Sequence, residues 1–210
     1  MKILIGTTNP SKAEQFAQML SGFGLKFMTL RELGITDEPT ETGRTPRENA
    51  MLKAAFYGQY AEHVICADSG LYFDCLPLDD VRQPGLHIRT PDGGKRLDDE
   101  AMIAYYAQLV HRLGGKAMAY YLNGYAVKSR GTVYGFQWTR EEARLGAFYM
   151  LDTPRIERNP GWPLDSLSID QKGISFVDPA WEEPEQLSWE RDSRLRTFLI
   201  ETLGLNQENT

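Results

Sequence analysis

At 210 residues, with 41% hydrophobic and 25% charged residues, the chain has ordinary globular composition and enough apolar material for a sizeable core, which excludes a fibrous or low-complexity protein. Its net charge of -6 supplies no global basic field to recruit nucleic acid, although a local cationic pocket could still bind a nucleotide. No apolar run is long enough to cross a bilayer. Cys66 and Cys75 read as free thiols of a reducing compartment rather than as a disulfide, and His63, His87 and His111 do not form a zinc-like cluster. A cytoplasmic protein with neither a membrane nor a nucleic-acid partner is expected.

Residues 2–5 form a first strand rather than a signal peptide. The Thr7-Thr8-Asn9-Pro10-Ser11-Lys12 turn then opens a helix in which Ala13, Phe16, Ala17 and Leu20 recur at helical spacing and Gly22 and Gly24 end the pattern. Residues 25–30 read as a second strand. At Thr45 a second helix begins: the hydroxyl caps it, Pro46 takes the first helical position and Glu48 completes a capping box. Ala50, Leu52, Ala54, Ala55 and Phe56 continue its packing face. Val64-Ile65-Cys66 forms a buried strand that delivers Asp68 to its C-terminal end, with Ser69-Gly70 as a turn.

A third helix starts near Asp98-Asp99-Glu100, carries Met102, Ile103, Tyr106, Leu109, Val110 and Leu113 on one face, and stops at Gly114-Gly115. Three aromatic and β-branched stretches, 117–127, 132–138 and 143–151, read as strands, the first two joined by a hairpin turn at Ser129-Arg130-Gly131. The closing helix, 193–203, presents Leu195, Phe198, Leu199 and Leu203, with Gly204 as its stop. Strand–helix alternation followed by strands in series predicts an α/β protein with a mixed sheet. Neither Pro-bearing loop, 154–163 or 178–184, looks like a linker, so residues 1–210 are expected to form a single α/β domain.

Three segments carry chemistry. Lys12 lies near a helix N-terminus, where a phosphate would meet free N–H groups, the positive helix end and an ammonium. The Walker pattern is absent. Glu41 precedes Thr42-Gly43, and Asp68 follows a buried strand. One cation and two separated carboxylates suit phosphate chemistry assisted by a hard metal ion such as Mg²⁺. Taken singly, Lys12 is also an ordinary amphipathic-helix lysine, Glu41 a solvated loop charge and Asp68 a cap or turn residue.

Together the segments resemble the inosine triphosphate pyrophosphatase family. Its Thr-x-Asn-x-x-Lys-x-x-Glu motif is met by Thr7, Asn9 and Lys12, with Glu14 one position before the motif's last, which is Gln15. Its Glu-Thr-Gly-x-Thr-x-x-Glu-Asn-Ala-x-x-Lys-Ala motif is matched from Glu41 through Lys53 and Ala54, its Asp-Ser-Gly-Leu at Asp68 to Leu71, and its Pro-Gly at Pro84-Gly85. The resemblance implies an elongated mixed β-sheet flanked by helices, two lobes with a nucleotide cleft between them, and a homodimer. It also implies Mg²⁺-dependent hydrolysis of ITP, XTP or dITP, purine nucleoside triphosphates, to the monophosphate and pyrophosphate. Thr7, Thr8, Asn9 and Lys12 would cradle the triphosphate, Glu41 and Asp68 would hold Mg²⁺, Asp68 would also orient or deprotonate water, and Ser69 would contact substrate.

Three positions depart from the family pattern. Ala67 replaces the acidic residue before Asp68. The Phe-Gly-Tyr-Asp-Pro base-binding segment is Trp162-Pro163-Leu164-Asp165-Ser166 here, with Trp162 a stacking surface and Asp165 the retained carboxylate. The Ser-His-Arg before the last helix is missing, leaving Arg191 or Arg194 as the available donors to a 6-oxo purine edge. Residues 90–96 read as an insert after Pro84-Gly85 that reshapes the entrance. The departures keep two alternatives open: a related pyrophosphatase with another base preference, and a nucleotide-binding protein without turnover.

Overall fold

A computed structural model describes residues 1–91, 93–182 and 185–205; the side chains of residues 185–192 lie outside the description. The chain divides into two compact units, one comprising Met1–Ser69, Asn123–Trp138 and Glu185–Thr210, the other Gly70–Leu122 and Thr139–Pro184.

In the first unit, β1 (Lys2–Ile5) pairs in parallel with both β2 (Lys26–Thr29) and the start of β3 (Val64–Phe73). Ile3, Leu4 and Ile5 have no solvent exposure, as expected of a strand flanked on both edges. Helix α1 (Pro10–Met19) is capped by Asn9, whose side chain accepts from the Ser11 N–H. Helix α2 (Pro46–Tyr57) starts as expected, with the Thr45 hydroxyl accepting from the Glu48 N–H. The reciprocal half of the capping box is different. Glu48 accepts from the Arg44 N–H at 2.7 Å, because the loop at Gly43 folds back over the first helical turn. The buried face of α2 is Asn49, Ala50, Ala54 and Tyr57, whereas Leu52 and Ala55 are exposed. The half-turn offset brings a polar residue, Asn49, into the interior.

Strand β4 (Lys116–Ser129) contributes its second half to this unit and pairs antiparallel with β5 (Thr132–Gln137). The connection needs positive φ at both central residues, 49° at Arg130 and 83° at Gly131, as a two-residue hairpin requires. A Cβ at Gly124 would lie 2.1 Å from the Arg47 nitrogen, so the absence of a side chain there lets α2 lie directly on β4. Helix α5 (Glu185–Leu203) begins earlier than its apolar pattern suggests. It buries Leu195, Leu199 and Leu203, stacks Phe198 on Phe136, and directs the Arg196 guanidinium to the Met19 carbonyl at 3.0 Å, closing the C-terminal end of α1.

In the second unit, α3 (Asp99–Arg112) is capped by Asp98 and buries Met102, Ile103, Tyr106, Leu109 and Val110. Residues 143–151 are not one strand. Helix α4 (Arg140–Leu145) occupies the first part, followed by β6 (Phe148–Leu151). The full capping box between Thr139 and Glu142 decides this locally, since it satisfies the first-turn N–H groups that a strand would leave to a partner. A 3-10 helix (Pro163–Leu167) and β7 (Ser168–Ile169) follow, and β6 pairs with β4 and β7. Among the described residues the seven strands form one mixed sheet in the order β2-β1-β3-β4-β6-β7, with β5 on β4 off that path. The fold class is thus the expected α/β with helices flanking a mixed sheet.

Candidate active site

Asp68 does not end its strand. Strand β3 is ten residues long and continues to Phe73, and Asp68 and Ser69 are its two partly exposed members between buried neighbours. The Ser69-Gly70 turn is extended backbone instead, and Leu71 bridges to Gly85. Gly70 serves close packing, since a Cβ there would meet the Tyr72 ring at 2.8 Å.

Three segments of the first unit converge on this stretch. From α1, Lys12 Nζ donates to Ser69 Oγ at 3.2 Å. From α2, Asn49 Nδ2 donates to Asp68 Oδ2 at 3.1 Å, and Lys53 Nζ donates to Asp68 Oδ1 at 2.7 Å. From the preceding loop, Glu41 Oε1 lies 2.9 Å from the same Lys53 Nζ. Asn49 also accepts the Gly43 N–H at 2.8 Å through Oδ1, which ties the Glu41 loop to the helix. The turn before α1 is ordered by its own side chains: Thr7 Oγ1 accepts from Asn9 N–H at 3.1 Å and Asn9 Oδ1 from Ser11 N–H at 3.0 Å. Thr8 is exposed.

The electrostatics follow from this packing. Lys12 is pushed down to about 8 by desolvation, with Asp68 pulling up, Lys53 down and Glu41 up. Burial also acts to lower Lys53, but Asp68 and Glu41 outweigh it and the net direction is upward. The nearby Cys66 thiol is pushed up to about 12 by burial, so it stays protonated and inert.

Thr7, Asn9, Lys12, Glu41, Asp68 and Ser69, all picked out in the sequence, thus lie in one unit, and the last four join a contact network through the Lys12–Ser69 bond and the Lys53 ammonium that Glu41 and Asp68 share. Asn49 and Lys53 complete it and were not singled out for a role. Their signal was present: two polar residues four apart on an Ala-rich helix face point the same way. Glu41 and Asp68 present hard oxygen donors to one shared cation, the Lys53 ammonium, which is the donor chemistry that Mg²⁺ requires. No group of three or more His, Cys, Asp or Glu side chains is poised for a metal among the described residues.

The expected base-reading residues belong to different units. Trp162 and Asp165 belong to the second unit, Trp162 preceding the 3-10 helix and Asp165 within it. Asp165 accepts from Asn159 Nδ2 at 2.9 Å, and desolvation raises it to about 6 against that hydrogen bond. Arg194 is on α5 in the first unit, its guanidinium 4.8 Å from the Trp138 ring centroid and 5.8 Å from that of Phe136. The Arg191 side chain and Asp92 of the expected insert lie outside the described residues. Ala67 is buried within β3.

The profile of the Ham1 family matches residues 3–136. A protein named dITP/XTP pyrophosphatase from Thermoanaerobacter sp. (strain X514) is 28% identical over 210 residues, spanning 97% of this chain and 98% of its own length. Two solved structures share the fold: a HAM1 protein from Coxiella burnetii, with TM-score 0.65, 19% identity and coverage of 96% and 99% of the two chains, and the Staphylococcus aureus Ham1 protein, with TM-score 0.64, 21% identity and the same coverage. No helix among the described residues is long and apolar enough to cross a membrane.

Proposed function

Because the chain belongs to the Ham1 family, we propose that it is a nucleoside triphosphate pyrophosphatase acting on ITP, XTP and dITP, releasing the monophosphate and pyrophosphate. The observation that carries this reading is the convergence of Lys12, Glu41, Lys53, Asp68 and Ser69 in one contact network. A relative of nearly the same length bearing the name dITP/XTP pyrophosphatase supports the choice of substrate. The residues 1–210 are taken as one functional domain, a cytoplasmic homodimer.

The triphosphate binds at the N-terminus of α1, where Thr7, Thr8, Asn9 and the Lys12 ammonium face its oxygens and Ser69 donates or accepts beside Lys12. Asp68, held by Asn49, orients a water toward the α-phosphorus and takes its proton. The new bond forms from that water oxygen to phosphorus, and the α–β bridging oxygen leaves with pyrophosphate. Mg²⁺ held by Glu41 and Asp68 would offset phosphate charge and acidify a bound water. The family resemblance assigns base contacts to Trp162, Asp165 and Arg194.

The test is pyrophosphate release with Mg²⁺ from ITP, XTP, dITP, GTP, ATP and the pyrimidine triphosphates, with Asp68→Asn as control. Release from the deaminated purines that falls about 10²-fold in the variant is expected. Activity centred on another base would keep the chemistry and replace the substrate. Silence across the panel would overturn the enzyme reading.

A further inference from the structure

One ammonium serves both carboxylates of the site. Lys53 Nζ stands 2.9 Å from Glu41 Oε1 and 2.7 Å from Asp68 Oδ1, while Asp68 Oδ2 accepts from Asn49. Three of the four carboxylate oxygens are therefore engaged by the protein itself. The Lys53 and Asp68 side chains are only 17% and 13% exposed, so solvent cannot readily replace their contact, whereas Glu41, at 42%, meets Lys53 from the solvent side.

From this geometry we infer that Lys53 is a tethered placeholder cation: a divalent ion reaches Glu41 and Asp68 only by displacing its ammonium, and the incoming triphosphate receives the displaced ammonium. The inference rests on the phosphate-site reading above and adds an order of events to it. A free dication entering alone would share its ligands with a monovalent charge about 3 Å from both carboxylates, and the two cations repel strongly where water is scarce. A metal arriving with a triphosphate brings the anion that Lys53 then lacks. Metal and triphosphate binding are accordingly coupled, each favouring the other by the same factor. Lys53 acts here as a positioning residue, keeping the carboxylates together while the site awaits substrate.

The measurement is a Mn²⁺ titration of the full chain without nucleotide, followed by electron paramagnetic resonance. Wild type, Lys53→Met and Lys53→Arg are compared, with circular dichroism and melting curves establishing that each variant is folded. Lys53→Met keeps the stem and removes the charge, and Asn49 still orients Asp68, so its Mn²⁺ affinity should rise about tenfold or more, the effect of deleting one nearby like charge. Lys53→Arg keeps the competing charge and should bind Mn²⁺ as weakly as wild type. Equal affinity in wild type and Lys53→Met would overturn the exchange. So would a loss of affinity in a folded Lys53→Met, which would make the lysine a support for the metal rather than its competitor. Should Lys53→Met not fold, a wild type that binds Mn²⁺ tightly in the absence of nucleotide overturns the inference by itself, and weak binding that tightens on adding tripolyphosphate, beyond chelation by the free anion, supports it. The titration of the variants contains no nucleotide, so failure of the substrate panel and failure of the exchange are read separately.

Discussion

Asn49 holds Asp68 at 3.1 Å with its amide nitrogen and the Gly43 N–H at 2.8 Å with its amide oxygen. A residue that is 2% exposed thereby locks the carboxylate of β3 to the loop that carries Glu41. In Asn49→Ala both partners lose a hydrogen bond, one of them a charged carboxylate. A stability loss of about 1–3 kcal/mol is expected, seen in urea unfolding, together with a fall in kcat about tenfold greater than any change in KM. Wild-type kcat in a folded variant would detach Asn49 from the positioning of Asp68.

Lys12 supplies a pH dependence with a definite sign. Its folded-state value of about 8 lies below the ordinary 10.5, so the ammonium is lost as pH rises through about 8. KM for the triphosphate should rise above that pH, by about tenfold at full deprotonation, and Lys12→Met should abolish this dependence. Between about 8 and 10.5 the unfolded chain binds more protons at this position, so stability from Lys12 increases with pH. At pH 7 Lys12→Met should therefore melt higher than wild type, and the gap should close by pH 10.5. A variant that melts lower at pH 7 would contradict the desolvation at this site.

Asp165 is a second group held at a cost. Its value is raised to about 6, so the folded state favours the neutral acid. The penalty is absent below the unfolded value of 3.8 and complete above about 6, so stability falls as pH rises across that window. Asp165→Asn removes the charge while keeping a group that the Asn159 amide can donate to. It should melt higher than wild type at pH 7.5 and equally at pH 3.5. If the carboxylate reads the base edge, the same variant binds ITP more weakly while its kcat for any bound nucleotide changes little.

Gly124 is required by packing rather than chemistry. Gly124→Ala places a methyl group 2.1 Å from the Arg47 backbone nitrogen, and backbone cannot swing aside as a side chain can. A loss of about 2–3 kcal/mol is expected, measured by denaturant midpoint. Unchanged stability would show that α2 can lift off β4 without penalty.

Local chemistry written in consecutive residues was legible in the sequence. Asn9, Thr45 and Asp98 each announce a helix by the bond their side chain makes two or three residues on, and β1 is recognisable from an apolar run with no internal polar break. Thr139 and Glu142 carry the same kind of signal, and the aromatic residues around them obscured it. The family motifs likewise placed Lys12, Glu41 and Asp68 at a common site, because each motif is a local string. What the string cannot carry is how far β3 continues. Residues Asp68 and Ser69 interrupt the apolar run and read as its end, yet buried neighbours on both sides keep the strand extended through them. Nor can it carry the meeting of Lys53 with Glu41 and Asp68, or of Lys12 with Ser69 across 57 residues of chain. Such contacts depend on where α1, α2 and β3 lie against one another, and that is decided by long-range burial, not by any residue's own preference. The sequence by itself singled out Lys12, Glu41 and Asp68 as candidates for holding a phosphate and a cation, and tertiary packing decided that one lysine would stand between the two carboxylates.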